Sequence, residues 1–258
     1  MSSLSEEPTP ARPHTPTRRS LLKASAAGAA IAPVLAACGG DSEPDGSTAG
    51  GEPQRGGLLR VGVAGGGASD TLDAHVPTDN VDIARNHALY ATLVRYTKDG
   101  AIEMDLAESL EPNEDATEWT VVLREGLTFH DDSPVTADSV AFSLRRILDP
   151  DDPKRGAGDM PGVDPEALEV VDERTLLIRV DEPLVTLPEA LAEYYNCVVP
   201  EGYDPDEPVG CGPFRYSEFV VGEYSLFERH EATTSRACPT STSWRSGTSP
   251  RTTHASTP

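Results

Sequence analysis

The residues of this 258-residue chain with the most chemical reach are its four cysteines and six histidines. Cys38 closes the run Leu35-Ala36-Ala37-Cys38, at the end of an Ala-rich, mildly apolar segment that follows Thr17-Arg18-Arg19-Ser20-Leu21-Leu22-Lys23. A thiol after two small residues at such a boundary is a lipid-attachment site, and the pair Arg18 and Arg19 ahead of the apolar run is a twin-arginine export signal. Cys197 and Cys211 flank a Pro-rich loop and are candidates for a disulfide in an exported protein, with two free thiols as the alternative. Cys238 is left over. His14, His75, His87, His130, His230 and His254 are scattered without ligand spacing, and no CxxC pair occurs, so no metal is expected. Gly62-Val63-Ala64-Gly65-Gly66-Gly67 follows a strand pattern but has neither the G-x-G-x-x-G spacing nor a Gly-Lys-Ser/Thr ending. No G-x-S-x-G nucleophile motif is present either. An enzyme is not expected, nor is a cofactor.

The elements that position these residues divide the chain into four parts. Residues 1–37 read as the signal peptide. Residues 38–55, made of Gly, Ser, Asp, Glu, Pro and Thr with almost nothing to bury, read as a flexible linker tethered through Cys38. The Ala-rich run is too short for a stable membrane span, so lipid and not a helix is expected to hold the protein at the outer face of the cell membrane. Residues 56–230 carry the folded part and residues 231–258 a tail. The formal net charge of −22 argues against nucleic acid and anionic lipid surfaces as partners.

Within 56–230 the hydrophobic periods predict a mixed α+β domain. Leu58 to Val63 reads as a strand, Asp82 to Val94 as a helix and Thr117 to Leu123 as a strand, with Trp119, Val121 and Leu123 on one face. Thr136 stands where a helix N-cap belongs, ahead of Val140, Leu144, Ile147 and Leu148 at helical spacing, so 137–148 reads as a capped helix. His130-Asp131-Asp132 between them reads as a turn. Leu168 to Val171 and Thr175 to Val180 form a hairpin around Asp172-Glu173-Arg174. Leu187 to Tyr195 is a short helix, and Phe214 to Val220 with Tyr224 to Glu228 is a last hairpin around Gly222.

One string is more specific than these periods. Leu106-Ala107-Glu108-Ser109, Trp119, Leu123-Arg124-Glu125-Gly126-Leu127, Phe129-His130-Asp131-Asp132 and Pro134-Val135-Thr136-Ala137-Asp138-Ser139-Val140 together resemble the signature of the peptide/nickel (family 5) extracellular solute-binding proteins of ABC importers. Gly56-Gly57-Leu58-Leu59-Arg60-Val61 resembles the family's first strand, and Leu72-Asp73-Ala74-His75 its Leu-Asp-Pro-His box, with Ala74 a departure. Tyr90-Ala91-Thr92-Leu93-Val94 is similar to its first helix. Pro208-Val209-Gly210-Cys211-Gly212-Pro213-Phe214 resembles its Pro-Val-Gly-Thr-Gly-Pro box, with Cys211 in place of the threonine. The resemblance implies a partial type II periplasmic-binding-protein fold with an extra small lobe. It implies a lipoprotein that captures peptides or related small solutes and delivers them to the membrane subunits of an ABC importer. It also implies that the loop after Leu72-Asp73-Ala74-His75 faces the cleft, which makes His75, Val76 and Asp79 candidate ligand contacts.

The resemblance stops after Glu228-Arg229-His230. From 231 to 258 half the residues are Ser or Thr and no hydrophobic periodicity remains, so a disordered tail is expected. When the third base of each codon is read with the first two of the next, residues 237–246 can encode Gly-Met-Pro-Tyr-Leu-Asp-Glu-Leu-Glu-Ile, which resembles the family's next strand. Residues 253–258 can encode Asp-Ala-Arg-Val-Asn-Ala in the same frame. A frameshift near residue 231 is therefore expected, with an inserted or deleted base among codons 229 to 236 in the nucleotide sequence. A chain so truncated lacks the second lobe and is expected to be inactive in solute capture. The alternative is a short surface-anchored interaction protein built on a partial fold.

Overall fold

The computed structural model describes residues 56–231 and the backbone of 243–248. The export signal with Arg18 and Arg19, the lipid site Cys38 and the linker lie outside the described residues. β1 (Leu58–Val63) leads into a long loop and α1 (Asn80–Leu89). β2 (Val94–Tyr96) and β3 (Ile102–Met104) form a two-stranded antiparallel ribbon. β4 (Ala107–Pro112), β5 (Glu118–Leu123), α2 (Ala137–Ile147), β6 (Glu169–Val170), β7 (Thr175–Arg179) and α3 (Leu187–Ala192) follow. β8 (Phe214–Val220), β9 (Tyr224–Arg229) and β10 (Ser243–Thr248) complete the described chain.

Two four-stranded sheets organise these elements, in the orders β4-β5-β7-β6 and β1-β10-β9-β8. In the first, Trp119, Val121 and Leu123 of β5 are buried with Leu176 and Ile178 of β7, as their alternation requires. They form one core with Val140, Leu144 and Ile147 of α2. Thr136 caps α2 in a reciprocal box: its hydroxyl accepts from the Ser139 N–H, and the Ser139 hydroxyl accepts from the Thr136 N–H. A second core lies against α1, with Leu72, Leu89, Tyr90, Phe214 and Phe227.

Four differences from the sequence reading have physical causes. α1 ends at Leu89, not Val94, because Tyr90 turns extended and the Leu89 carbonyl accepts a hydrogen bond from Gly212 N–H (2.9 Å). α3 likewise ends at Ala192, with Glu193 extended. Cys197 and Cys211 are not bridged: both are free, buried thiols. Cys197 packs in the α1 core near the Ala74 carbonyl, and Cys211 packs in the other core near the Val198 carbonyl. The fourth difference concerns the tail. Residues 243–248, expected to be structureless, form β10, parallel to β1 and antiparallel to β9. Backbone pairing on both edges holds such a strand without apolar alternation, so periodicity gives no sign of it.

Candidate functional site

The loop that leaves β1 is built around buried polar groups. Asp79 caps α1, accepting from Val81 N–H (2.8 Å) and Asp82 N–H (3.1 Å), and its other oxygen accepts from Gly66 N–H (2.6 Å). Burial raises the Asp79 carboxyl, but these backbone donors outweigh it and hold the pKa below the usual carboxylate value. Asp70, Asp79 and Asp82 bring oxygens within 4.8 Å of one another, as a cation site would. The Arg85 guanidinium is already there, at 2.8 Å from Asp70 and 2.7 Å from Asp82, while its Nε donates to Ser225 Oγ (2.7 Å). Thr71 N–H, Thr78 N–H and the Thr78 hydroxyl also donate to Asp82. The cluster is thus closed by its own chain and asks for no metal.

His75, the first candidate ligand contact, is fully buried. Its Nε2 donates to the Cys197 carbonyl (2.9 Å) and its Nδ1 accepts from Arg146 (2.7 Å), which fixes the neutral Nε2–H tautomer. Arg146 also forks onto Asp73 at 3.0 and 2.7 Å, and its guanidinium lies 5.2 Å over the Tyr203 ring. Burial pushes the Asp73 carboxyl up, but the hydrogen bonds from Arg146 and from His75 N–H carry it below its ordinary value. Burial pushes the His75 imidazole down to about 4. Leu72-Asp73-Ala74-His75 therefore organises the loop from inside. Val76 is exposed and Asp79 half-buried, and neither they nor His75 line the cavity beside Tyr90 and Tyr194.

A pH dependence follows from His75. Because its folded pKa lies below the unfolded value, the unfolded chain takes up the proton first as pH falls. The stability it contributes is complete above about pH 6.5 and is lost down to about pH 4, by up to roughly 3 kcal/mol. Urea unfolding at steps from pH 7.5 to 4.5 should show this decline, and His75→Gln should be less stable at pH 7.5 but flatter across the window. A wild-type curve unchanged from pH 7 to 4.5 would rule it out.

The cavity beside Tyr90 and Tyr194 lies elsewhere, at the end of α1. It has a volume of about 440 Å³, within the range that takes small molecules, and is lined by the end of α1, by β2, by the segment after α3 and by Pro213. His87, Tyr90, Arg95, Tyr96, Glu193 and Tyr194 face it. The chain has seven tyrosines, and three of them are in this wall. Arg95 is paired with Glu103 and lies 4.0 Å from Asp105. Burial lowers the His87 imidazole, and burial, then Asp159, raises the Glu193 carboxyl. Apolar and aromatic surface with a few convergent polar groups suits capture of a small polar solute, and nothing here is set up as a nucleophile with its base. None of these residues was read from the sequence as a ligand contact. The one available signal was the Tyr194-Tyr195 pair beside Glu193 in an aromatic-poor chain.

The His130-Asp131-Asp132 segment is a turn, as expected, with Asp131 accepting from the Ser133 hydroxyl and N–H.

The model for bacterial extracellular solute-binding proteins, family 5 (middle region), matches residues 101–232. Heme-binding protein A of Haemophilus influenzae is 31% identical over 243 residues, covering 81% of this chain and 44% of that protein. The oligopeptide-binding protein AppA of Bacillus subtilis is 25% identical, covering 78% and 39%. Among solved structures, the binding protein AgaA of A. tumefaciens R10, in complex with agropinic acid, superposes with a TM-score of 0.68 at 28% identity, over 75% of this chain and 40% of its own. The chain belongs to family 5 of the bacterial extracellular solute-binding proteins. It spans less than half the length of each of these relatives, and the described α/β architecture is that of the matching part of a periplasmic binding protein.

Proposed function

We propose that this chain is the solute-capturing lipoprotein of an ABC importer for peptides or related small solutes. In this reading residues 1–37 direct export through the twin-arginine signal at Arg18 and Arg19. Lipid on Cys38 anchors the protein at the outer face of the cell membrane, and residues 38–55 tether the binding domain near the importer's membrane subunits. The observation that carries the reading is the family match across the middle of the described fold. The cavity beside Tyr90 and Tyr194 offers a first wall for a solute, with Val76 and Asp79 in the loop after β1 as further proposed contacts. No helix among the described residues is long and apolar enough to cross a membrane.

Two measurements test this. The described cavity revises the inactivity expected from the sequence to weak binding: calorimetric titration of the full chain with a panel of di- to pentapeptides should give affinities in the millimolar range (about −4 kcal/mol), because a single described wall buries only part of a ligand. Absence of binding across the panel would count against solute capture by this chain. For the anchor, Cys38→Ala should move the protein from the membrane to the soluble fraction without loss of folding. Membrane association unchanged by that substitution would defeat the lipoprotein reading.

A further inference from the structure

Residues 210–213 cross from one core to the other, and they do so in direct contact with backbone. A Cβ on Gly210 would lie 2.1 Å from the Leu89 carbonyl oxygen, and one on Gly212 would lie 2.5 Å from the Leu89 carbonyl carbon. His130 holds this crossing by three hydrogen bonds. Its N–H donates to the Gly210 carbonyl (2.8 Å), its Nδ1 accepts from Gly210 N–H (3.3 Å) and its Nε2 donates to the Gly212 carbonyl (3.1 Å). The next residue, Pro213, and Tyr90, which follows Leu89, are both in the wall of the 440 Å³ cavity.

The Nδ1 contact works only for a neutral imidazole. Nδ1 faces an N–H, so a proton on Nδ1 sets donor against donor and removes the contact to Gly210. The His230 ring stands edge-on to His130 at 5.0 Å, and the His230 backbone N–H donates to the Pro213 carbonyl (3.0 Å). The charged groups around the pair are Asp131 and Asp132 on the turn and Arg215 on β8.

We propose that His130 is an acid-operated latch: neutral, it holds the Gly210–Gly212 crossing against the end of α1, and protonated, it frees that crossing together with the Pro213–Tyr90 wall of the cavity. The consequence for solute release rests on the solute-capture reading above; the latch itself does not. Burial pushes the His130 imidazole down to about 4, with His230 and Arg215 opposing its charge and Asp131 and the Gly212 carbonyl favouring it. The latch is therefore closed at neutral pH and opens in moderate acid.

Nuclear magnetic resonance of the uniformly labelled full chain between pH 7.5 and 4 tests this with no solute present. The His130 ring should keep the Nε2–H tautomer at neutral pH and titrate well below 6.5. The Gly210 and Gly212 amides, corrected for intrinsic exchange, should lose at least about tenfold protection in step with it, while amides of β5 and β7 keep theirs. His130→Gln, which keeps a donor but cannot titrate, should remove the pH dependence of those two glycine amides. If that variant fails to fold, the wild-type exchange data alone decide. His75, also pushed down to about 4, is the competing titration, so loss that persists in His130→Gln, or that spreads at the same pH to the β4-β5-β7-β6 sheet, overturns the latch in favour of general acid unfolding. A His130 pKa near 6.5, or glycine protection unmoved through its titration, overturns it as well. Peptide titration at pH 7.5 separates the two readings: binding there with no latch signature leaves solute capture standing, and a latch signature without binding leaves only the latch.

Discussion

Replacing Arg85 with methionine should destabilise the chain by roughly 3–5 kcal/mol, among the largest effects any single substitution here can have. The guanidinium is almost entirely buried and ties three separate segments: Asp70 in the loop after β1, Asp82 on its own helix and Ser225 on β9. It also lies 4.8 Å over the Phe219 ring, so it contributes packing as well as charge. Methionine keeps most of the stem volume and removes the charge, which leaves two buried carboxylates facing each other. If the ion-pair network is the cause, Arg85→Met combined with Asp70→Asn and Asp82→Asn should be less destabilised than the sum of the separate changes. Additivity across that cycle would instead assign the loss to packing alone. Chemical denaturation at pH 7.5 reads both outcomes.

The second large effect is expected at Gly212. Alanine there drives its methyl carbon to 2.5 Å from the Leu89 carbonyl carbon, 2.6 Å from Tyr90 nitrogen and 2.7 Å from the Ala88 carbonyl oxygen. All three neighbours are backbone, so no side-chain rotamer change relieves the clash; the crossing or the end of α1 has to move. A loss of about 3 kcal/mol, the upper part of the overpacking range, is expected, together with loss of the Gly212 to Leu89 hydrogen bond. Gly158→Ala is the control, because nothing lies within 4 Å of its added carbon. Equal melting temperatures for the two variants would show that the crossing tolerates displacement.

What the sequence made legible here depended on whether the cause was local. The alternation of Trp119, Val121 and Leu123, the hydroxyl of Thr136 ahead of a helical period and the Asp172-Glu173-Arg174 turn act within a few residues, and the strand, capped helix and hairpin stand where they were read. The end of α1 could not be read that way, since the group that takes up the Leu89 carbonyl sits on Gly212. His75 was singled out for its place in the loop that the family resemblance puts at the cleft, but Arg146 and the Cys197 carbonyl, both far away in sequence, enclose it. The cavity brings His87, Tyr96 and Tyr194 together through three different elements, and no spacing rule connects them. The disulfide reading failed for a related reason: nearness in sequence did not place Cys197 and Cys211 in the same core.

The pairing of β1 with β10 has a consequence for how the molecule is made. The β4-β5-β7-β6 sheet closes within one continuous stretch of chain, whereas Leu58 finds its partner only at Ser243. Contacts of such long range are slow to form because loop closure costs entropy before pairing returns any free energy. On an emerging nascent chain, the middle sheet and α2 are able to assemble while β1 waits. Until the distant strand arrives, β1 presents an unpaired edge to other copies, an interval in which strand-to-strand association competes with folding. Dependence on chaperones or dilution during synthesis should therefore trace to this one late-closing pair, and not to the α2 layer that carries most of the family's signature.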